Sequence, residues 1–210
     1  MPGIDLTHFH PMEKDQDLLR RFNCGPDDFI ILFAGNLYYE KGIFDLLFAF
    51  HLLLRRLNDA VKMKLLIAGK GKERQRIEHW IGKLNIGEST RLIGSHPYAE
   101  MPKIHNLADV FVLPSIPTPI WQEQFGYVLV ESMACGKPVV STLSGSIPEV
   151  VGDAGMLVPP NDVSSLVNAL ENLVQDKQKC LQLGQRARNA AQERFDVRHT
   201  AINMEEHFKK

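Results

Sequence analysis

Short apolar runs that stop at a glycine or proline, separated by longer amphipathic stretches, constrain this chain more than any other feature. Phe29-Ile30-Ile31-Leu32-Phe33-Ala34 ends at Gly35, and Lys64-Leu65-Leu66-Ile67-Ala68 ends at Gly69-Lys70-Gly71. Arg91-Leu92-Ile93 ends at Gly94, and Val110-Phe111-Val112-Leu113 stops at Pro114. Runs apolar at successive positions suit strands buried on both faces, as in a parallel sheet. Helical spacing runs from Phe44 through Leu57, a charged helix covers about 72–84, and another lies near 99–107. Pro138-Val139-Val140-Ser141 and Gly155-Met156-Leu157-Val158 read as further strands, with a short helix at Pro148-Glu149-Val150 between them. Helices over roughly 162–175, 177–194 and 197–208 close the chain. The alternation predicts an α/β fold, a doubly wound parallel sheet with helices on both faces. Such sheets bind ligands outside the carboxyl ends of their strands, so Gly35, Gly69, Gly94 and Pro114 mark a rim where a site is expected.

The bulk numbers exclude several function classes. At 210 residues the chain fits one large domain or a tight pair. With 24 Lys+Arg against 25 Asp+Glu the net charge is -1, so no broad basic field is available for nucleic acid. The local clusters Lys70-Lys72-Arg74-Arg76 and Arg186-Arg188 read as solvated helix faces. Cys24, Cys135 and Cys180 are odd in number, scattered and without a CxxC pair, which indicates neither a zinc ribbon nor a disulfide framework. A cytoplasmic, reducing location fits them, with Cys135 as a buried thiol. His8 and His10 have no third ligand nearby, so a metal site is not expected. No apolar stretch approaches the ~18–20 residues that span a bilayer, and no signal peptide opens the chain. Contact with a membrane through a surface patch stays an open alternative.

The stretch from Trp121 to Val140 carries the chemistry. Glu123 and Glu131 stand eight positions apart, with Gly126 between them. If a helix begins near Gly126, Glu123 lies in the loop before it and Glu131 about one and a half turns inside it. The free amides and positive dipole end of that helix favour a phosphate. Hydroxyls near two carboxylates, with phosphate near amides, describe a nucleotide sugar. The plainer readings are a pair of solvated helix-terminus acids and, for Lys41, an ordinary helix-start lysine. An oxidoreductase using a nicotinamide cofactor is disfavoured, because Gly69-Lys70-Gly71 is followed by Arg74 where the dinucleotide fingerprint needs glycine.

Glu123-x7-Glu131, then Ala134-Cys135-Gly136-Lys137-Pro138-Val139-Val140, then Gly145-Ser146-Ile147-Pro148-Glu149-Val150-Val151 with Gly152-Asp153-Ala154-Gly155 after it, form an ordered set. With Lys41-Gly42 after the first strand, the set resembles the donor-binding half of glycosyltransferase family 4, the retaining GT-B enzymes, over nearly the whole chain. The resemblance implies a Rossmann-like domain, one half of a GT-B enzyme with C-terminal helices. Pro2-Gly3-Ile4-Asp5 resembles the family's interdomain linker. Residues 1–12 are accordingly read as an extended linker remnant and 13–210 as a single donor-binding domain, with the N-terminal acceptor-binding domain absent.

The same resemblance implies roles for individual residues. Glu131 would accept hydrogen bonds from both ribose hydroxyls, and Glu123 would meet the donor sugar's hydroxyls near the reacting carbon. The amides of Gln124, Phe125 and Gly126 would hold sugar and phosphate oxygens, and Lys41 would neutralise the diphosphate. Gly94, with the loop through His96 and Tyr98, would pack against the base; Pro114 and Ser115 open a loop over the donor, with Trp121 as its anchor. The implied reaction is transfer of a hexosyl group from a UDP-, GDP- or ADP-sugar with retention of configuration. The nucleotide sugar is a substrate, and no metal cofactor is required. The isolated chain is expected to bind nucleotide yet turn over negligibly. The full-length protein would be cytoplasmic or peripheral at the inner membrane. One departure stands out. The family usually carries Arg directly after the first-strand glycine Gly35, and here Asn36 takes that place. Lys70, Lys72 or Lys137 could substitute for the missing charge. Alternatively the chain is a non-catalytic nucleotide-binding or interaction module on the same half-fold.

Overall fold

The computed structural model describes residues 3–58 and 60–198. Strand β1 (Phe29–Ala34) is buried along five of its six residues, and β2 (Met63–Ala68) likewise. These pair in parallel from Phe29↔Met63 to Ala34↔Ala68. Strand β4 (Val110–Leu113) is buried throughout and lies on the other side of β1, with Ile31 opposite Val110. Strands β3 (Thr90–Gly94), β5 (Val139–Thr142) and β6 (Met156–Val158) complete one parallel sheet in the order β3-β2-β1-β4-β5-β6. Half-exposed side chains are concentrated on the two edge strands, β3 and β6, where one neighbour is missing.

Helices α2 (Ile43–Leu57), α3 (Arg74–Lys83) and α7 (Val163–Gln175) pack together, as do α4 (Met101–Leu107), α5 (Tyr127–Ala134) and α8 (Lys177–Arg194). Helices α2 and α3 lie in crossovers that step one way along the sheet order and α4 and α5 in crossovers that step the other way, and right-handed connections put these two pairs on opposite faces. Helix α2 buries Phe44, Leu47, Phe50 and Leu57 at helical spacing, which is why this run coils rather than extends. Helix α6 (Ile147–Val151) is the short helix read around Pro148. Strand order reverses between β1 and β4, so the chain leaves their carboxyl ends toward opposite faces and opens a crevice there.

The sequence reading had no counterpart for α1 (Gln16–Arg21). Its signal was the Asp15 side chain, which accepts from the amides of Asp17 and Leu18 as an N-cap. The stretch before it is more than an extended tether. Ile4 donates its amide to the Phe195 carbonyl at 2.8 Å, and Ile4, Leu6 and Phe9 are buried. Arg188 is also not a solvated residue: its guanidinium donates to the carbonyls of Phe9 and Ala134. Of the closing helix read over 197–208, all but the first two residues lie outside the described residues. Among the described residues no helix is long and apolar enough to cross a membrane.

Candidate functional site

The crevice at the β1/β4 switch is a cleft of about 660 Å³. Its walls come from the loops after β1 (Gly35, Asn36, Lys41), β2 (Gly69, Lys70) and β3 (Ser95, His96, Tyr98), and from Glu123–Val128 with Glu131. Each wall follows a strand's carboxyl end, so the register of the sheet alone brings these separated sequence segments together.

Glu123 and Lys41 meet in this cleft. Lys41 Nζ lies 2.7 Å from Glu123 Oε2, and the Ser115 hydroxyl donates to the same oxygen at 3.1 Å. The ammonium also sits 4.7 Å from the centroid of the Trp121 ring, a cation–π placement that restrains it further. Both chain segments are held by close backbone approaches. At Gly42, with φ +70°, an added Cβ would fall 1.8 Å from the Pro114 carbonyl oxygen. The Ile116 amide donates to the Glu40 carbonyl at 2.8 Å, tying the Lys41 turn to the loop after β4. At Gly145, φ +54°, an added Cβ would fall 2.0 Å from the Glu123 carbonyl oxygen, and the Ser146 amide donates to that oxygen at 2.9 Å. Glu123 is therefore set by backbone contact from the loop after β5, and only 8% of it is exposed.

Helix α5 starts at Gly126, which takes a left-handed φ of +79° and gives its first turn no side-chain cap. Among the described residues, the amides of Gln124, Phe125 and Gly126 donate no hydrogen bond to the protein. Together with the open first turn they form a bank of donors at a positive dipole end, suited to anionic oxygens. Glu131 sits deeper on the same helix, 8% exposed, with His105 Nε2 at 3.2 Å from its Oε2. An ionised carboxylate only accepts, so Glu131 offers its other oxygen to donors in the cleft. Tyr98 stands at the cleft wall, its hydroxyl held above the usual phenol range by desolvation and then by Glu131 and Asp5.

Of the residues expected from sequence, Gly35, Asn36, Lys41, Glu123, Gln124, Phe125, Gly126 and Glu131 all line the cleft. Gly94, Pro114 and Ser115 stand behind its walls. Gly94 accepts the Gly69 amide at 2.7 Å, Pro114 abuts Gly42, and Ser115 holds Glu123. Among the three lysines considered as replacements for an arginine at Asn36, Lys70 lines the cleft. Lys72 lies over the Tyr38 ring instead. Lys137 precedes β5 at the opposite end of the sheet, donates to the Asn106 carbonyl at 3.1 Å, and is held below the usual lysine range by burial. It has no part in this cleft. Sequence reasoning missed His105, whose isolated position on a helix gave no sign of its partner 26 residues away. It also missed the support that Gly145 and Ser146 give Glu123, although both stand in the quoted motif.

Residues 15–190 match the family model described as glycosyl transferases group 1. The chain is 33% identical over 182 residues to a D-inositol 3-phosphate glycosyltransferase of Thermobifida fusca, covering 82% of this chain and 40% of that protein. Among solved structures it is similar to a sucrose-phosphate synthase from Thermosynechococcus elongatus, with TM-score 0.84 and 28% identity over 99% of this chain and 51% of that one. The Anabaena protein HepE, solved in complex with UDP and glucose, shares the fold at TM-score 0.83 and 23% identity, over 99% of this chain and 55% of HepE. The chain thus spans about half the length of the relatives it matches.

Proposed function

This chain belongs to the glycosyl transferases group 1 family, and from that premise we propose that it is the donor-binding domain of a retaining hexosyltransferase. Its cleft takes a nucleoside-diphosphate sugar. The observation that carries the proposal is the convergence of Lys41, Glu123, Glu131 and the unsatisfied amides of 124–126 at one switch point. Solved relatives bound to UDP and glucose support the ligand class.

In this reading the diphosphate lies over the open start of α5 and within reach of Lys41, while Glu131 receives the ribose hydroxyls. Glu123 faces the hexosyl hydroxyls beside the reacting carbon. As the glycosidic C–O bond breaks, negative charge builds on the departing diphosphate. A pre-placed ammonium and fixed amides stabilise that charge without solvent reorganisation. Lys41 lines the same cleft as the start of α5, which sets its ammonium to serve the phosphate as well as Glu123. The assignment gives charge neutralisation to these groups and calls on no metal. The chain spans about half the length of its relatives, so we assign acceptor binding to sequence outside these 210 residues and expect the chain by itself to bind donor and transfer negligibly.

Calorimetric titration with UDP, GDP and ADP tests this directly; absence of binding to all three refutes it. Replacing Glu131 by alanine removes hydrogen bonds to a charged acceptor and should weaken nucleoside diphosphate binding by ~1–3 kcal/mol. Asn36 in the cleft favours the second reading, a non-catalytic nucleotide-binding or interaction module. Sugar transfer by a protein that joins this chain to an acceptor-binding domain decides against that reading; nucleotide binding without transfer decides for it.

A further inference from the structure

We infer that His105 is a positioning residue for the nucleotide: it fixes the Glu131 carboxylate in the orientation that receives the ribose hydroxyls. The inference rests on the ribose role proposed above for Glu131. His105 is completely buried on α4, and its Nε2 lies 3.2 Å from Glu131 Oε2. Its other ring nitrogen, Nδ1, is buried without a hydrogen-bond partner among the described residues. A bare lone pair in that place is less costly than a buried N–H with no acceptor. The partners therefore assign the proton to Nε2, which donates to the carboxylate.

The ring cannot turn away from this task. It is tilted against Phe111 at 5.4 Å between centroids and meets Phe9 edge-on at 5.9 Å. Phe111 belongs to the central strand β4, and Phe9 is fully buried. The next residue, Asn106, clamps α4 to the N-terminal segment from both sides: its side chain donates to the His10 carbonyl at 2.9 Å and accepts the Met12 amide at 2.9 Å. Glu131 would otherwise be a mostly buried carboxylate free to choose among rotamers, and ordering it on ligand arrival would reduce affinity. A fixed donor on Oε2 removes that cost and leaves Oε1 for the ligand.

The test uses the whole chain, titrated with UDP, GDP and ADP and with their 2′,3′-dideoxyribose counterparts. The unmodified protein should prefer the ribose form of the diphosphate it binds. In His105→Phe the ring shape remains and the donor is lost, and the ribose preference should fall about tenfold while affinity for the dideoxy form stays within twofold. His105→Gln, whose amide nitrogen can stand in for Nε2, should restore most of the preference. Should the phenylalanine variant fail to fold, His105→Asn replaces it, because its shorter amide does not reach Glu131. Equal loss of both ligand forms, or a ribose preference retained in full, overturns the inference while leaving the donor-binding reading intact. An unmodified protein that binds nucleotide without ribose preference overturns the role of Glu131 and the inference with it.

Discussion

Replacing Gly145 by alanine should dislodge Glu123 from a distance, because the two residues touch only through backbone. The left-handed φ of +54° would cost a non-glycine residue ~1–2 kcal/mol. The new methyl would fall 2.0 Å from the Glu123 carbonyl oxygen, well inside the 3.4 Å at which ordinary contact begins. One of the two segments must move, which breaks the 2.9 Å bond from the Ser146 amide to that oxygen. Losing it adds ~0.5–1.5 kcal/mol. Together these give a loss of about 1.5–3.5 kcal/mol, or a melting temperature lowered by about 3–14 °C in a domain of this size. Gly94→Ala is the internal control: its φ is +77°, but an added methyl would meet nothing within 4 Å. It should lose only the ~1–2 kcal/mol of backbone strain. Thermal unfolding compares the two, and calorimetry compares free nucleoside diphosphate with the intact sugar nucleotide. With Glu123 displaced, the sugar nucleotide should lose about tenfold more affinity than the free diphosphate. If Gly145→Ala is no less stable than Gly94→Ala and binds the sugar nucleotide undiminished, Glu123 is not held by this contact.

Two further outcomes are expected. Asn36→Arg places a guanidinium in the cleft wall and should tighten nucleoside diphosphate binding by about tenfold, with the gain shrinking as salt is raised; unchanged affinity would mean the diphosphate lies away from the loop after β1. Burial pushes the Cys135 thiol up from 9.0 to about 12. A folded value raised in this way stabilises the protein fully below pH 9 and loses that contribution as pH climbs toward 12. Native protein at neutral pH should therefore leave Cys135 unreacted with a thiol reagent, and Cys135→Ala should flatten the fall in stability between pH 9 and 12. Rapid labelling of the folded chain, or an unaltered alkaline profile in the variant, would contradict the burial argument.

Most of the sheet could be read from sequence because its strands are buried on both faces and end at glycine or proline, a pattern that helices of this length do not produce. Strand order was less accessible: nothing in Phe29–Ala34 or Val110–Leu113 says that these two are neighbours, yet that pairing creates the cleft. Helix α1 escaped notice because six residues with one buried leucine leave too little periodicity to detect. In the site, the two glutamates stood out through their charge and spacing, whereas Lys41 was singled out only by the family resemblance. His105 did not stand out, since a single histidine on a helix acquires its role only from what the fold sets opposite it. Lys137 shows the reverse error: a cation close to the motif in sequence lies at the far end of a strand in space.

The close approaches at Gly42 and Gly145 bear on how donor preference could be changed. Because the segments carrying Lys41 and Glu123 are located by main-chain contact, no alternative amino acid can be tried at those two glycines without moving the charges themselves. Asn36, Gln124 and Tyr127, by contrast, are exposed side chains that line the same cleft. They form a separable alphabet. A library varied at these three positions would explore new sugars while the charged pair and the helix start keep their coordinates.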